Sequence, residues 1–241
     1  MNFYKMKRST IKFIPLIIAS ALFFFSCNYK KGSGNIVSEK RQTASFKSIK
    51  VSGDFEVIIK KGDREEVVIE ADDNLINNIE TKVVNGQLRI RTTDHNLRNA
   101  HFKATVTAPY INDIRASASA RVTTDNMDSP DAIELHASSA ATITAEVDAP
   151  VVTGQSSSGA ELILSGRTKN FKGSVSSGAE IKANNLLSET SVIKASSGAS
   201  ASVHASVSLN ASASSGASIS YTGGANVKKT ASSGGDVTKS D

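Results

Sequence analysis

Few side chains in this sequence could do chemistry, and their spacing argues against most of it. Four histidines, His95, His101, His136 and His204, stand far apart with no partner ligand at short spacing, so each reads as an isolated solvent-facing imidazole. No metal is expected. Glu161 and Glu180 occupy equivalent places in successive repeats, the one arrangement that could pair carboxylates for acid/base work or a cation. The same place then holds Ser200 and Ser218, so the row reads as a solvated edge with basic neighbours. The run Gly154-Gln155-Ser156-Ser157-Ser158-Gly159 has the wrong spacing for a nucleophile elbow and lacks the strand-to-helix turn that exposes such a serine. Asp236, after Ser233-Gly234-Gly235, is a single copy of a calcium-type Gly-Asp pattern that needs many turns. Tryptophan is absent, and beyond residue 27 the aromatics are Tyr29, Phe46, Phe55, Phe102, Tyr110, Phe171 and Tyr221, too few for the platforms of a glycan-cleaving solenoid. Neither a catalytic residue nor a cofactor is expected.

Cys27 is the only cysteine, so a disulfide framework is excluded. It follows a basic segment, Met1 to Lys12, and an apolar run, Phe13 to Phe25, which together read as a secretory leader over residues 1–26. The run is shorter than the ~20 residues of a spanning helix. Phe24-Phe25-Ser26-Cys27 looks like a bacterial lipobox, in which the cysteine is acylated and becomes the first mature residue. Phe24 departs from the more usual leucine. The expected partner of Cys27 is therefore a membrane, reached through a lipid anchor. Residues 27–44 are polar and read as a flexible tether. The leader carries Lys5, Lys7, Arg8 and Lys12, four of the 28 basic residues, which leaves 24 against 23 acidic residues. A near-neutral mature chain lacks the dense basic face of a nucleic-acid binder, so nucleic acid is excluded as a partner.

The elements that must position these side chains come from a repeat. Ser157-Ser158-Gly159-Ala160, Ser176-Ser177-Gly178-Ala179, Ser196-Ser197-Gly198-Ala199 and Ser214-Ser215-Gly216-Ala217 recur, with weaker copies at Ser117-Ala118-Ser119-Ala120, Ser138-Ser139-Ala140-Ala141 and Ser232-Ser233-Gly234-Gly235. Their third residues lie 21, 19, 19, 20, 18 and 18 positions apart, the near-fixed period of a repeat architecture. Three residues after each marker stand Val122, Ile143, Leu162, Ile181, Ala201, Ile219 and Val237, with polar residues between. Alternation on both sides of the marker makes each repeat two short strands. Such a pair cannot bury its inner face alone, so successive repeats must stack around a thin core. The expected fold is all-β, a parallel β-helix or β-solenoid over residues 45–241. Residues 111–241 supply about seven repeats, and residues 46–110 form irregular strands that cap the start.

Two columns of this rod are read as structural. Ser117, Ser138, Ser157, Ser176, Ser196, Ser214 and Ser232 stand two places before the marker in every copy and are expected to form a ladder of hydroxyls at the bend. Gly159, Gly178, Gly198, Gly216 and Gly234 are expected to supply positive φ at that bend.

Together with the lipobox and the Ser-Ser-Gly-Ala rungs, the segments Val51-Ser52-Gly53-Asp54-Phe55-Glu56-Val57 and Asn85-Gly86-Gln87-Leu88-Arg89-Ile90 carry a family resemblance. The chain resembles the "putative auto-transporter adhesin, head GIN domain" family, widespread in Bacteroidetes, over roughly residues 45–225. The resemblance implies a right-handed parallel β-helix and an adhesin role, and it brings no catalytic residues. The expected function is a lipid-anchored envelope solenoid that binds an unidentified protein or glycan without catalysis. The expected location is the outer membrane, on its periplasmic side or at the cell surface. A periplasm-facing structural or envelope-stress role comes second, and a polysaccharide-active β-helix enzyme third. The sequence sets no oligomeric state.

Overall fold

The computed structural model describes residues 29–94 and 96–240. The leader, Cys27 and His95 lie outside them. The alternating columns fold as strands that stack in parallel. Val122 pairs with Ile143, Ile143 with Leu162, Leu162 with Ile181, Ile181 with Ala201, Ala201 with Ile219 and Ile219 with Val237. All seven are buried, so equivalent side chains lie over one another and form one wall of the core. The opposite wall includes Ile133, Val152, Phe171 and Leu209, also buried. Each Leu or Ile so enclosed contributes about 1.5–3 kcal/mol by leaving water. The result is a β-solenoid, with outward side chains of the same strands facing solvent.

Each coil has two corners of different construction. At the first, Ala160 N–H donates to Ser157 O, Ala179 N–H to Ser176 O and Ala199 N–H to Ser196 O, which closes a four-residue turn. Both central residues have positive φ in every repeat, for example Ser158 (54°) with Gly159 (70°) and Ser177 (56°) with Gly178 (68°). That combination defines a type I′ turn. Ser139 (52°) and Ala140 (61°) make the same turn without glycine. At the second corner the chain bends without leaving the sheet, so Thr142–Ser157, Glu161–Val175 and Glu180–Ala195 each run as one strand from one side of a coil to the next. Gly166 sits at this corner with φ of 103°, and a Cβ there would lie 2.1 Å from Val147 O on the preceding coil. Two inward glycines have a different cause: Cβ atoms at Gly154 and Gly173 would each meet the Phe171 ring at 3.3 Å, and at Gly173 also Ile193 Cδ1 at 2.9 Å. The ring, joined at Gly173 by Ile193, fills the space their side chains would need.

The irregular cap expected over residues 46–110 resolves into two parts. Ser48–Ser52 and Glu56–Lys61 form an ordinary coil, and Gln87–Thr92 with Phe102–Ala108 form another. Their order is not that of the sequence. Ile49 pairs on one side with Ile114 and on the other with Leu88, while Val57 pairs with Val122 and with Ala104. The coil of residues 48–61 therefore lies between the coil of residues 87–108 and the one that begins at Asp113. Antiparallel strands then close the end: Ile79–Val84 on Gln87–Thr92, Glu66–Asp72 on Phe102–Ala108, and Ile36–Arg41 on Glu66–Asp72.

Residues 27–44 read as a tether, and over residues 30–41 the structure corrects this. Lys30–Lys31 pairs with Leu97–Arg98, and Ile36–Arg41 forms the outer antiparallel strand. The cause is a set of polar side chains some forty residues away. The buried Asp72 carboxylate accepts Gly34 N–H at 2.7 Å and His101 N–H at 2.8 Å. These backbone donors, His101 foremost, hold its pKa below the usual carboxylate range against the opposing effect of burial. Asn74 accepts Ser33 N–H and donates to Lys31 O, and Asp73 accepts from Ser33 Oγ and Asn35 Nδ2.

Candidate functional site

The serine corner makes a straight edge along the rod, and its rung-to-rung bonds belong to the backbone. Ser119 N–H donates to Ser139 O, Ala140 N–H to Ser158 O, Gly159 N–H to Ser177 O, Gly178 N–H to Ser197 O, Gly198 N–H to Ser215 O and Gly216 N–H to Ser233 O. This relay of amides stands where a relay of hydroxyls was expected. Of the seven ladder serines, Ser117 donates its hydroxyl to Val51 O at 3.4 Å. Ser117, Ser138, Ser157, Ser176, Ser196 and Ser214 are half-buried and Ser232 is exposed. The corner is thus built by main-chain groups, with small polar side chains covering it.

Glu161 and Glu180 are brought side by side, as adjacent partners on neighbouring strands. Lys182 lies between them, with Nζ 2.5 Å from Glu161 Oε1 and 3.4 Å from Glu180 Oε2. The hydrogen bond to Glu161, aided by both negative charges, raises the lysine's pKa. A carboxylate pair already occupied by an ammonium is poorly placed to share a proton with a substrate. His204 faces outward beside a shallow cleft at the second corner, lined by Asp148, Pro150, Arg167, Leu187, Ser188 and Glu189 among others. Its backbone carbonyl accepts the Ser188 and Ser191 hydroxyls, both buried. Leu187 and Val207 near this corner are 53% and 60% exposed. His101 is exposed, with its backbone N–H on Asp72.

One grouping escaped the sequence reading. Asp113, Glu134 and His136 point outward from the strands Asp113–Ser117 and Ile133–Ser138, with one potential ligand atom of each within 4.8 Å of the others. Arg115 stands among them: its Nε lies 3.0 Å from Asp113 Oδ2, and its Nη2 lies 3.7 Å from Glu134 Oε2. His136 Nε2 lies 3.4 Å from Glu134 Oε2. The protein's own guanidinium holds the place a cation would take. The signal was available in the repeat, because Asp113 and Glu134 each precede their markers by six and Arg115 and His136 by four.

The fold defines the protein's class as a β-solenoid of stacked parallel coils with flat outward faces. The family model described as "Putative auto-transporter adhesin, head GIN domain" matches residues 45–225, and the chain belongs to that family. Among solved structures it is similar to a putative adhesin from Bacteroides fragilis, with a TM-score of 0.79 at 17% identity, over 87% of this chain and 99% of that one. It is also similar to a putative lipid binding protein from Parabacteroides distasonis, with a TM-score of 0.68 at 19% identity, over 88% of this chain and all of that one. At such identities these likenesses establish the fold. No curated protein matches the chain. Among the described residues, no helix is long and apolar enough to cross a membrane.

Proposed function

We propose that this chain is a non-catalytic adhesin-type binding module, held at the cell envelope by a lipid on Cys27. The observation that carries the reading is the occupancy of its acidic clusters. Both groupings of carboxylates described above hold one of the chain's own cations, Lys182 in one and Arg115 in the other. What remains available is the extended polar surface of a rigid rod, which suits recognition along its length more than turnover at a point. Family membership supports an adhesin-type role, and the lipid binding description of the Parabacteroides distasonis relative makes lipid the ligand class to test beside protein and glycan.

Two measurements test this. Replacing Cys27 by Ser should move the protein from the membrane fraction to the soluble fraction and abolish labelling by a palmitate analogue; unchanged fractionation would remove the anchor from the proposal. Protease treatment of intact against lysed cells, with a tag after Asp241, decides orientation. Digestion on intact cells supports an outward-facing adhesin, and protection until lysis assigns the module to the periplasmic side.

A further inference from the structure

The outward rows of the two sheet faces obey different charge rules. On the face that follows the serine turn, one row reads Glu70, Lys103, Glu56, Arg121, each residue paired with the next across adjacent strands. Opposite charges alternate, as cross-strand stability favours. On the other face the corresponding row reads Lys82, Arg89, Lys50, Arg115, His136. Four cations and an imidazole follow one another without an acid in the row. Like charges on directly opposed strand positions destabilise a sheet, so folding alone does not favour this row.

Arg115 is neutralised from the side by Asp113 and Glu134. Lys82, Arg89 and Lys50 are exposed and form no ion pair among the described residues. Adjacent strands are ~4.8 Å apart, so these three charges stand in single file over about 10 Å, running along the rod axis. Gln87 and Ser48, bonded to each other at 3.0 Å, flank the file on one side, and Ser52 with the ion-paired Arg91 and Glu80 on the other. Gln87, Ser48 and Ser52 can all bond sugar hydroxyls.

We infer that this file is a binding site for a linear acidic polysaccharide, with carboxylate or sulfate groups of successive sugars lying against Lys50, Arg89 and Lys82. Three features favour this occupant. The cations form a line and not a broad field, which matches a chain more closely than the plane of an anionic membrane. The outward residues of the four cation-bearing strands, from Glu80 to Ser117, include no aromatic on which a single-stranded nucleic acid could stack its bases. Ser48, Ser52 and Gln87 offer neutral hydrogen-bonding side chains beside Lys50 and Arg89, suited to the hydroxyls between the acid groups of a glycan, and the charged neighbours Arg91 and Glu80 are paired with each other.

The inference rests on the reading of the chain as a binding module and is indifferent to the anchor and to orientation. Calorimetry on the purified full-length chain at low salt therefore separates the two. Polygalacturonate and dextran sulfate should bind and neutral dextran should not, with affinity falling as salt is added. The variant Lys50→Gln/Lys82→Gln/Arg89→Gln should lose binding by on the order of tenfold or more. Its melting temperature should not fall, because like-charge neighbours have been removed. Lys103→Gln/Arg121→Gln, on the alternating face, should bind like the parent. Failure of both polyanions to bind the parent chain, equal binding by the triple variant, or binding confined to phosphatidylglycerol vesicles would each overturn the inference.

Discussion

Two glycines with positive φ make opposite claims on the structure, and replacing each by alanine separates them. Gly159 has φ of 70° at the serine turn, and a Cβ built there meets nothing within 4 Å. The same turn position one coil earlier holds Ala140 at φ of 61°, so the chain already tolerates this replacement. Gly159→Ala should cost only the left-handed backbone penalty, about 1–2 kcal/mol. Gly166 has φ of 103°, and its Cβ would lie 2.1 Å from Val147 O and 3.0 Å from Val147 C and N. That neighbour is main chain and cannot rotate away. Gly166→Ala should combine strain of about 1–3 kcal/mol with the disturbance of one or two inter-coil hydrogen bonds at ~1 kcal/mol each, about 2–5 kcal/mol together. At about 2–4 °C per kcal/mol for a chain of this size, melting followed by far-ultraviolet circular dichroism should fall by roughly 4–20 °C for Gly166→Ala and by roughly 2–8 °C for Gly159→Ala, the former the larger. Equal shifts for the two variants would refute the account of the second corner.

Leu162 is fully buried between Ile143 and Ile181, so Leu162→Asp places an unpaired charge in a thin core. Loss of the far-ultraviolet β signal is expected; an unchanged melt would show the register to be wrong. Asp72→Ala removes the acceptor for Gly34 and His101 N–H and should weaken docking of residues 30–41 by about 1–3 kcal/mol, seen as faster amide exchange there while the distal coils keep their protection. Because the folded-state pKa of Asp72 is depressed, its contribution is fully present above the unfolded value of about 4. It fades as pH falls through the lower folded value, so acid should release the same segment first. Arg115 fills the cation position beside Asp113, Glu134 and His136. Zinc should leave the melting of the parent chain unchanged and stabilise Arg115→Ser; a zinc shift in the parent would contradict this.

The periodic half of the molecule was legible because each side chain there has one environment repeated. Val122, Ile143 and Leu162 stand three places after a marker and all are buried. The N-terminal half depended on contacts that sequence distance hides. Nothing in Ile49 announces that it stacks between Leu88 and Ile114, since apolar alternation fixes which face is buried but not which strand lies beside it. Residues 30–41 read as a tether because they are polar, yet Asp72 and Asn74 satisfy their backbone from afar and Asp73 holds the side chains of Ser33 and Asn35. The serine turns were legible as turns. Their conformation was only half legible: glycine at the marker suggested positive φ, whereas Ser158, Ser177 and Ser197 adopt it too. Of the candidate groups, Glu161 with Glu180 followed from repeat spacing. Asp113, Glu134 and His136 come together only because two rungs stack, with Asp113 opposite Glu134 and Arg115 opposite His136, a proximity that short-range ligand spacing does not carry.

The out-of-order coil gives the rod a mechanical polarity. Pulled from its C-terminal end, the molecule meets strands, Asp236–Lys239 and Asn226–Ala231, that have a neighbour on one side only; these can unzip singly, each coil of about 19 residues paying out roughly 65 Å of chain. Pulled from the other end, residues 30–41 come away first, but residues 48–61 are clamped between segments that follow them in sequence, so the coils there must give way as a block. A rod held at its N-terminal side would thus lengthen from the free tip inward, in regular increments that single-molecule extension would record as an evenly spaced sawtooth, before its base was disturbed.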